Sequence, residues 1–201
     1  TRGYVETVSE LQREQIVDFH ARTFTPQGAV ITIAGAVESR PAVALIQQLL
    51  GDWRGPTLPP QPAVNVPPPA PPQRVSLPGK VQSDIAIGPR AGASHHPDFL
   101  ALRVANCIQG QFGLMGHLGA VVREELGLAY YSYSSVMVDR EDGVWQAAAG
   151  VSPDNVDRAI AAITEEFARL AEEPVDAAEL ADSQAYLTGV MPLTLETNEG
   201  V

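Results

Sequence analysis

The sequence predicts an α+β fold, a two-layer sandwich in which helices pack on one face of a mainly antiparallel sheet. Helical and strand patterns are mixed along the 201 residues. Two strand patterns, at residues 130–138 and 143–151, follow each other directly, as antiparallel neighbours do. The clearest helical pattern begins at residue 153, and its apolar positions recur in steps of four and three. A sheet with one helix-covered face accounts for all three observations.

The first part of the chain predicts a helix, a strand and a second helix. Ser9 and Gln12 fit a capping box at the start of a helix that ends before Pro26. The β-branched run at residues 29–35 is short and apolar, which is typical of a buried strand. Ser39 is expected to cap the next helix. The inner face of that helix would consist of Val43, Ile46, Leu49, Leu50 and Trp53.

A proline-rich segment separates this part from the rest. Residues 54–74 contain nine of the seventeen prolines. Because proline fixes φ and has no N–H, we expect an extended linker here. Residues 75–89 then predict two strands around a turn at Pro78 and Gly79. The residues that share one face of the second strand are Val81, Ser83, Ile85 and Ile87.

Pro97 indicates the start of another helix, because proline is favoured in the first helical turn. The residues that this helix should bury are Leu100, Val104, Cys107 and Ile108. Just before it, His95 and His96 are adjacent, and adjacent side chains in an extended segment point apart, which argues against a shared metal ion.

The stretch at residues 113–138 predicts a helix, a glycine turn and a strand. Arg123 lies near the end of the helical part, and Tyr130 lies at the start of the strand. A turn at Gly127 would fold one side chain back towards the other. Tyr131 and Tyr133 follow in the same strand, and we expect them to be packing residues.

The last third predicts one strand and two helices. The strand at residues 143–151 places Trp145, Ala147, Ala149 and Val151 on a single face. The helix from Pro153 ends before Pro174. Asp176 should cap a final helix that runs towards Thr188. The apolar positions of the helix after Pro153 are Val156, Ile160, Ile163, Phe167 and Leu170.

Composition excludes several classes of function. The formal net charge is −11, so the chain lacks the basic footprint of a nucleic-acid-binding protein. Cys107 is the single cysteine, which excludes an intrachain disulfide and a cysteine-rich metal site. Its apolar helical surroundings predict core packing. No apolar run reaches the roughly 18 residues that a membrane-spanning helix needs.

The block R-E-E-L-G-L-A-Y at residues 123–130 resembles the second domain of pitrilysin/insulinase-type zinc metallopeptidases, a family that includes the mitochondrial processing peptidase. Further similar segments occur in the same order along nearly the whole chain. They are F-T-P…A-V-I-T-I-A-G-A-V at 24–37, G-D-W at 51–53, the proline-rich linker, D-F-L-A-L-R-V-A-N at 98–106 and L-E-T-N-E-G at 195–200. The sequence departs from the family where His117 stands near an expected arginine.

The family's zinc motif, H-x-x-E-H, is absent from the chain. The residues three positions after the four histidines are Thr23, Asp98, Phe99 and Ala120. The resemblance therefore implies a non-zinc domain that is inactive alone and holds no cofactor. It implies a zinc-bearing domain or subunit as the partner, in a homodimer or a heterodimer, and a peptide as the substrate.

The resemblance also assigns roles to Arg123 and Tyr130, as the family's arginine/tyrosine pair. A guanidinium and a phenol donate hydrogen bonds, and the attack of a zinc-activated water on a peptide carbonyl builds negative charge that such donors stabilise. Alternatives remain for both residues. Arg123 could be a surface arginine paired with Glu124, Glu125 or a helix C-terminus, and Tyr130 could be an ordinary strand aromatic. A catalytically silent assembly subunit and an autonomous peptide-binding module remain alternatives for the function.

The resemblance also predicts the domain organisation. Residues 1–26 would form a helix that leads from a missing preceding domain. Residues 27–201 would form the C-terminal, non-zinc domain, which contains the linker at 54–74 and is truncated at its end. The sequence does not decide between the bacterial cytoplasm and the periplasm as the location of the protein.

Overall fold

A computed structural model describes residues 3–60, 68, 71–111 and 116–197. The chain divides into two compact units. Unit 1 comprises residues 1–63 and 195–201, and unit 2 comprises residues 64–194. The described part of unit 1 contains the helices α1 (Val5–Ser9), α2 (Arg13–Thr23) and α3 (Ser39–Leu50).

Unit 2 is built on a three-stranded antiparallel sheet. Its strands are β1 (Ser83–Ile87), β2 (Ala129–Val138) and β3 (Gly143–Val151), in the order β1-β3-β2. The predicted α+β fold is therefore confirmed. The limits of β3 agree with the alternation in the sequence; β2 pairs with β3 over residues 143–151, and β1 pairs with it over residues 147–151.

Helices cover one face of this sheet. They are α4 (Phe99–Asn106), α5 (Val156–Glu172) and α6 (Ala177–Thr194). Two π-helical segments, Cys107–Gln111 and Gly119–Glu125, lie between α4 and β2, and a 3₁₀ turn, Pro153–Asn155, precedes α5. The core that these elements enclose contains Ile85, Leu118, Val122, Leu128, Ala147, Ala149, Val151, Ala159, Ala162 and Ile163.

A buried polar group joins the helical layer to the sheet. The Oδ1 atom of Asn106 accepts hydrogen bonds from Ser134 Oγ, at 2.8 Å, and from Trp145 Nε1, at 2.9 Å. Behind Asn106, a Cβ on Gly110 would lie 2.5 Å from the backbone nitrogen of Ser134. Glycine therefore allows the first π-helical segment to lie directly on β2, which fixes the strand that carries Tyr130.

The face of the sheet opposite the helices of unit 2 holds Tyr131 and Tyr133. Asp84, Gly150 and Tyr131 are aligned across the three strands. The hydroxyl of Tyr131 donates to Asp84 Oδ1 at 2.8 Å, and its ring lies over Gly150, where a Cβ would come within 2.4 Å of Tyr131 Cε1. Tyr131 thus packs on the outer face rather than in the core, and Tyr133 is exposed there.

Unit 1 differs from the sequence prediction at four points. The N-cap of α3 is Glu38 rather than Ser39, and the expected inner face of α3 is exposed at Val43, Leu49 and Leu50. Ser9 is the last residue of α1, and Gln12, with Gln15 as its partner, caps α2. The expected strand at residues 29–35 does not form, because no strand lies beside it among the described residues. A β-strand needs a neighbour to pair its backbone groups, and sequence pattern alone does not supply one.

Unit 2 differs in smaller ways. No strand forms at residues 75–77, although the predicted turn is present, with Lys80 donating to the carbonyl of Leu77. Leu100, expected to be buried, is 72% exposed in the first turn of α4. Asp176 does cap the final helix, through a 2.8 Å bond to the N–H of Ala178, but α6 continues six residues beyond the predicted end, to Thr194.

Candidate functional site

The end of the second π-helical segment forms a tightly bonded turn. The N–H of Gly127 donates to the carbonyl of Arg123 at 3.1 Å, and the N–H of Leu128 donates to the carbonyl of Val122 at 3.0 Å. Gly127 has φ of +60°, a conformation that glycine adopts without strain. Glycine is therefore the residue that allows this helical segment to end and the chain to reverse into β2.

Two buried anchors hold the turn on the core. Val122 is fully buried and Leu128 is 4% exposed, and both belong to the central apolar cluster. Arg123 directly follows the first anchor, and Tyr130 comes two residues after the second. Packing of Val122 and Leu128 in the core, together with the backbone hydrogen bonds of the turn, therefore fixes the backbone that carries Arg123 and Tyr130.

Tyr130 occupies an irregular position at the start of β2. Ala129 pairs with Val151 and Tyr131 pairs with Gly150, so Tyr130 is the extra residue of a β-bulge. A bulge turns a side chain away from the regular alternation of the strand. Tyr130 is 80% exposed, and its hydroxyl has no hydrogen-bond partner among the residues described.

Arg123 is less free than Tyr130. Its side chain is 38% exposed, and its Nε atom lies 3.5 Å from Glu124 Oε1. This is the surface pairing that the sequence left open as an alternative role. The guanidinium makes no other ion pair or hydrogen bond within the described parts of the chain, so most of its five N–H donors are available to another molecule.

A network of ionisable side chains lies at the start of the helical segment that carries Arg123. His117 Nε2 lies 2.8 Å from Glu179 Oε1 on α6, and His117 Nδ1 lies 3.9 Å from Glu166 Oε2 on α5. Glu166 is buried and accepts a 2.5 Å bond from Arg169, which raises the pKa of that guanidinium. From the sequence, His117 was noted only because it stands near an expected arginine. Its contacts with Glu166 and Glu179 were not predicted, because these residues lie 49 and 62 positions further along the chain.

The described residues do not offer a metal site. No group of three or more His, Cys, Asp or Glu side chains that could hold a metal ion occurs among them. His117 meets its two carboxylates at opposite ring nitrogens, so these three groups cannot ligate one ion together. His95 and His96 make separate contacts, with the carbonyl of Arg140 and the N–H of Asp98.

Cys107 lies in the core. It is fully buried, and desolvation raises the pKa of its thiol, partly offset by a hydrogen bond with Ser183. A raised pKa lowers the thiolate fraction and with it the reactivity. The predicted packing role of Cys107 is therefore confirmed. None of the helices in the described ranges is both long and apolar enough to cross a membrane.

Comparison with known proteins places this geometry in context. The family described as "Peptidase M16 inactive domain" matches residues 10–187. An uncharacterised zinc protease of Mycobacterium leprae is 28% identical over 197 residues, which is 96% of this chain and 44% of that protein. The chain thus spans less than half the length of this relative.

Two solved structures share the fold. A protease from Helicobacter pylori has a TM-score of 0.81 and 20% identity, and the match covers 98% of this chain and 49% of the protease. A peptidase M16 inactive domain from Pseudomonas fluorescens has a TM-score of 0.78 and 22% identity, over 93% of this chain and 45% of that one. At these identities the two structures bear on the fold alone.

Proposed function

Because the chain belongs to the peptidase M16 inactive-domain family, we propose that it supplies the non-zinc half of a peptidase active site. In this proposal, Arg123 and Tyr130 hold the backbone of a peptide substrate and stabilise the transition state. An H-x-x-E-H domain, in the same polypeptide or in a partner subunit, completes the site. Bound zinc in such a domain supplies a water activated for attack on the peptide carbonyl.

The observation that carries the proposal is the rigid turn that presents two largely unpartnered donors. Hydrogen-bond donors stabilise a developing oxyanion best when they are fixed before the reaction. Val122 and Leu128 anchor the turn in the core, and the backbone bond between them closes it. An ordinary strand tyrosine would be packed or hydrogen-bonded, as Tyr131 is, whereas Tyr130 projects from a bulge into solvent.

The chemistry of each side chain follows from its donors. The guanidinium of Arg123 can donate two parallel bonds to carbonyl oxygens and carries a permanent positive charge. The hydroxyl of Tyr130 can donate one bond to the oxyanion, or to a neighbouring substrate carbonyl. Neither group accepts or delivers the proton of the leaving amine in this scheme. Their contribution is binding and charge stabilisation.

A catalytically silent assembly subunit is the second candidate. The observation in its favour is the contact of Arg123 with Glu124, which satisfies part of the guanidinium without any substrate. In that case both side chains would be dispensable for hydrolysis. The two candidates therefore predict opposite results for the same substitutions.

The experiment combines the chain with the H-x-x-E-H domain encoded in the same genome and measures hydrolysis of a fluorogenic peptide. Removal of one donor at an oxyanion site typically lowers kcat by about 10²–10³-fold. We expect losses of this order for Arg123→Ala and for Tyr130→Phe. Binding of the zinc domain, measured by calorimetry, should not change.

Two matched controls separate this role from general damage. Arg158→Ala removes an exposed arginine from α5, and Tyr133→Phe removes the hydroxyl of another exposed tyrosine of β2. Both controls should keep wild-type hydrolysis. Hydrolysis at the wild-type rate in Arg123→Ala and in Tyr130→Phe would refute the proposal and favour the assembly subunit.

A further inference from the structure

His117 stands at the start of the helical segment that carries Arg123. The N–H of Ala120 donates to the carbonyl of Gly116 at 2.9 Å, so the hydrogen bonds of the segment begin directly before His117. Gly116 itself lies against the first π-helical segment, where a Cβ on it would come within 2.8 Å of Gly110 Cα. Because Arg123 belongs to the same hydrogen-bonded segment, whatever fixes His117 also restrains the backbone of Arg123.

Two carboxylates from other helices contact the ring of His117. Its Nε2 atom lies 2.8 Å from Glu179 Oε1 on α6, and its Nδ1 atom lies 3.9 Å from Glu166 Oε2 on α5. The histidine side chain is 17% exposed and that of Glu166 is 7% exposed, so water screens the second contact little. The imidazole therefore joins the segment that carries Arg123 to two helices of the layer that covers the sheet.

The protonation of the ring decides how many of these contacts are favourable. A neutral imidazole has one N–H and one lone pair, whereas an imidazolium has an N–H on both nitrogens. With the N–H at Nε2 facing Glu179, the Nδ1 atom of a neutral ring would present its lone pair to Glu166. The Nδ1 atom is buried and has no hydrogen-bond partner. The imidazolium is thus the form of His117 whose charge suits both carboxylates.

The charges around the ring do not balance when the ring is neutral. The carboxylates of Glu166 and Glu179 carry two negative charges, and Arg169 on α5, which donates to Glu166, carries one positive charge. A proton on the ring of His117 brings this group to neutrality. Glu173, directly after α5, adds a further negative charge near Arg169. Charges that are shielded from water are costly unless an opposite charge lies close, so this group favours the protonated ring.

The other elements beside the ring supply no balancing charge within the described residues. The inner face of β2 contributes the uncharged Ser132 and Ser134, and the first π-helical segment contributes Cys107, whose thiol is bonded to Ser183. The charged residues of the segment itself, at 123–125, lie at its opposite end. His117 is therefore the group that balances the charge, and histidine is the side chain that ordinarily gains or loses its proton between about pH 5 and pH 8.

We propose that His117 is a pH-sensitive positioning residue: its protonated ring fixes the segment that carries Arg123 to α5 and α6, and loss of the ring proton loosens that segment. This inference rests on the proposed function, because the position of Arg123 matters only where it meets a substrate. As the pH rises, Arg123 is held less closely in place and hydrolysis declines. Misplacement of a group by about 1 Å can cost about 100-fold in rate, so a small loosening is enough.

Amide hydrogen exchange of the 201-residue chain tests the attachment without a partner or a substrate. His117→Gln keeps a donor towards Glu179 but carries no charge, and His117→Arg carries the charge at every pH. At about pH 6, the amides of residues 120–126 should exchange about tenfold faster in His117→Gln than in the wild type and in His117→Arg. Those of Ala147 and Ala149 on β3 should not change. Equal exchange at residues 120–126 in all three proteins would overturn the inference.

The pH dependence of hydrolysis tests the coupling to Arg123. Each protein is combined with the H-x-x-E-H domain encoded in the same genome, and kcat for a fluorogenic peptide is measured from about pH 6 to pH 8. We expect the wild type to match His117→Arg at the lower pH and to fall to the level of His117→Gln, about tenfold lower, at the higher pH. Groups that titrate in the zinc domain affect all three proteins alike and cancel in the ratio of wild type to His117→Arg. A ratio that stays constant over this pH range would overturn the inference.

His96→Gln is the matched control for these experiments. It makes the same change at an exposed histidine whose contact is with its neighbour Asp98. Exchange at residues 120–126 and the pH dependence of kcat should follow the wild type in this variant.

Arg123→Ala separates this inference from the proposed function. The Arg123 side chain takes no part in the buried anchors, so exchange at residues 120–126 should stay at the wild-type rate while hydrolysis is lost. If His117→Gln loosens the segment but Arg123→Ala hydrolyses peptide normally, the attachment by His117 stands and the proposed function fails. If Arg123→Ala loses hydrolysis while His117→Gln keeps wild-type exchange and kcat, the proposed function stands and this inference is overturned.

Discussion

Leu118→Ala and Leu100→Ala are the same chemical change, but the structure predicts a large loss of folding free energy for the first and a small one for the second. Leu118 is fully buried among the core residues, and Leu100 is 72% exposed on α4. Each substitution removes three carbon atoms. At about 0.8 kcal/mol per buried methylene, the lost transfer free energy at Leu118 is about 2.4 kcal/mol. The cavity adds to this, so the total should lie within about 2–5 kcal/mol.

The assay is urea unfolding of the 201-residue chain, followed by far-ultraviolet circular dichroism. With m of about 1–3 kcal/mol/M, the Leu118→Ala midpoint should fall by about 1–2 M. Leu100→Ala should change the free energy of unfolding by less than about 0.5 kcal/mol, because alanine is an excellent helix former. A cost at Leu100 equal to that at Leu118 would show that α4 is rotated relative to this fold and would refute the reasoning.

Two further predictions concern charged groups. The backbone N–H of Gly143 and the Arg90 guanidinium lower the pKa of Asp142 below its usual value of 3.8. The ionised carboxylate therefore stabilises the fold fully above its unfolded pKa, and this stabilisation is lost as the pH falls through the lowered pKa of the folded state. Acid unfolding below about pH 5 should therefore be less steep in Asp142→Asn than in the wild type, and parallel curves would contradict the assignment. Glu166→Ala leaves Arg169 without its buried acceptor, and should cost about 1–3 kcal/mol in urea unfolding. An unchanged midpoint would show that the network contributes no stability.

The sequence predicts the elements of unit 2 best where the pattern is local and the partners are nearby. The β3 strand is defined by alternation, and its neighbours β1 and β2 lie within the same unit. The turn at Gly127 also follows from the sequence, since the glycine comes directly after a helical pattern. The positions of Arg123 and Tyr130 at the two sides of this turn could therefore be stated in advance.

Other features depend on contacts that no local pattern encodes. The run at residues 29–35 has strand propensity, but a strand forms only beside a partner, and the described part of the chain provides none. The sequence placed Leu100 on the same helical face as Cys107 and Ile108. The helix changes to a π-helical segment at Cys107, and its wider turns mean that Leu100 no longer shares a face with these residues. The bulge at Tyr130 and the pairing of His117 with Glu179 likewise arise only when distant segments meet.

The value of kcat for peptide hydrolysis by the assembly of the zinc domain with Arg123→Ala tests the central claim most directly. Measured at saturating peptide, this quantity reports stabilisation of the transition state rather than docking of the two domains. A shared active site predicts a fall of about 100-fold or more, with unchanged affinity between the domains. A kcat within about twofold of the wild-type assembly would contradict the account, because an anchored donor at the reacting carbonyl cannot be removed without cost.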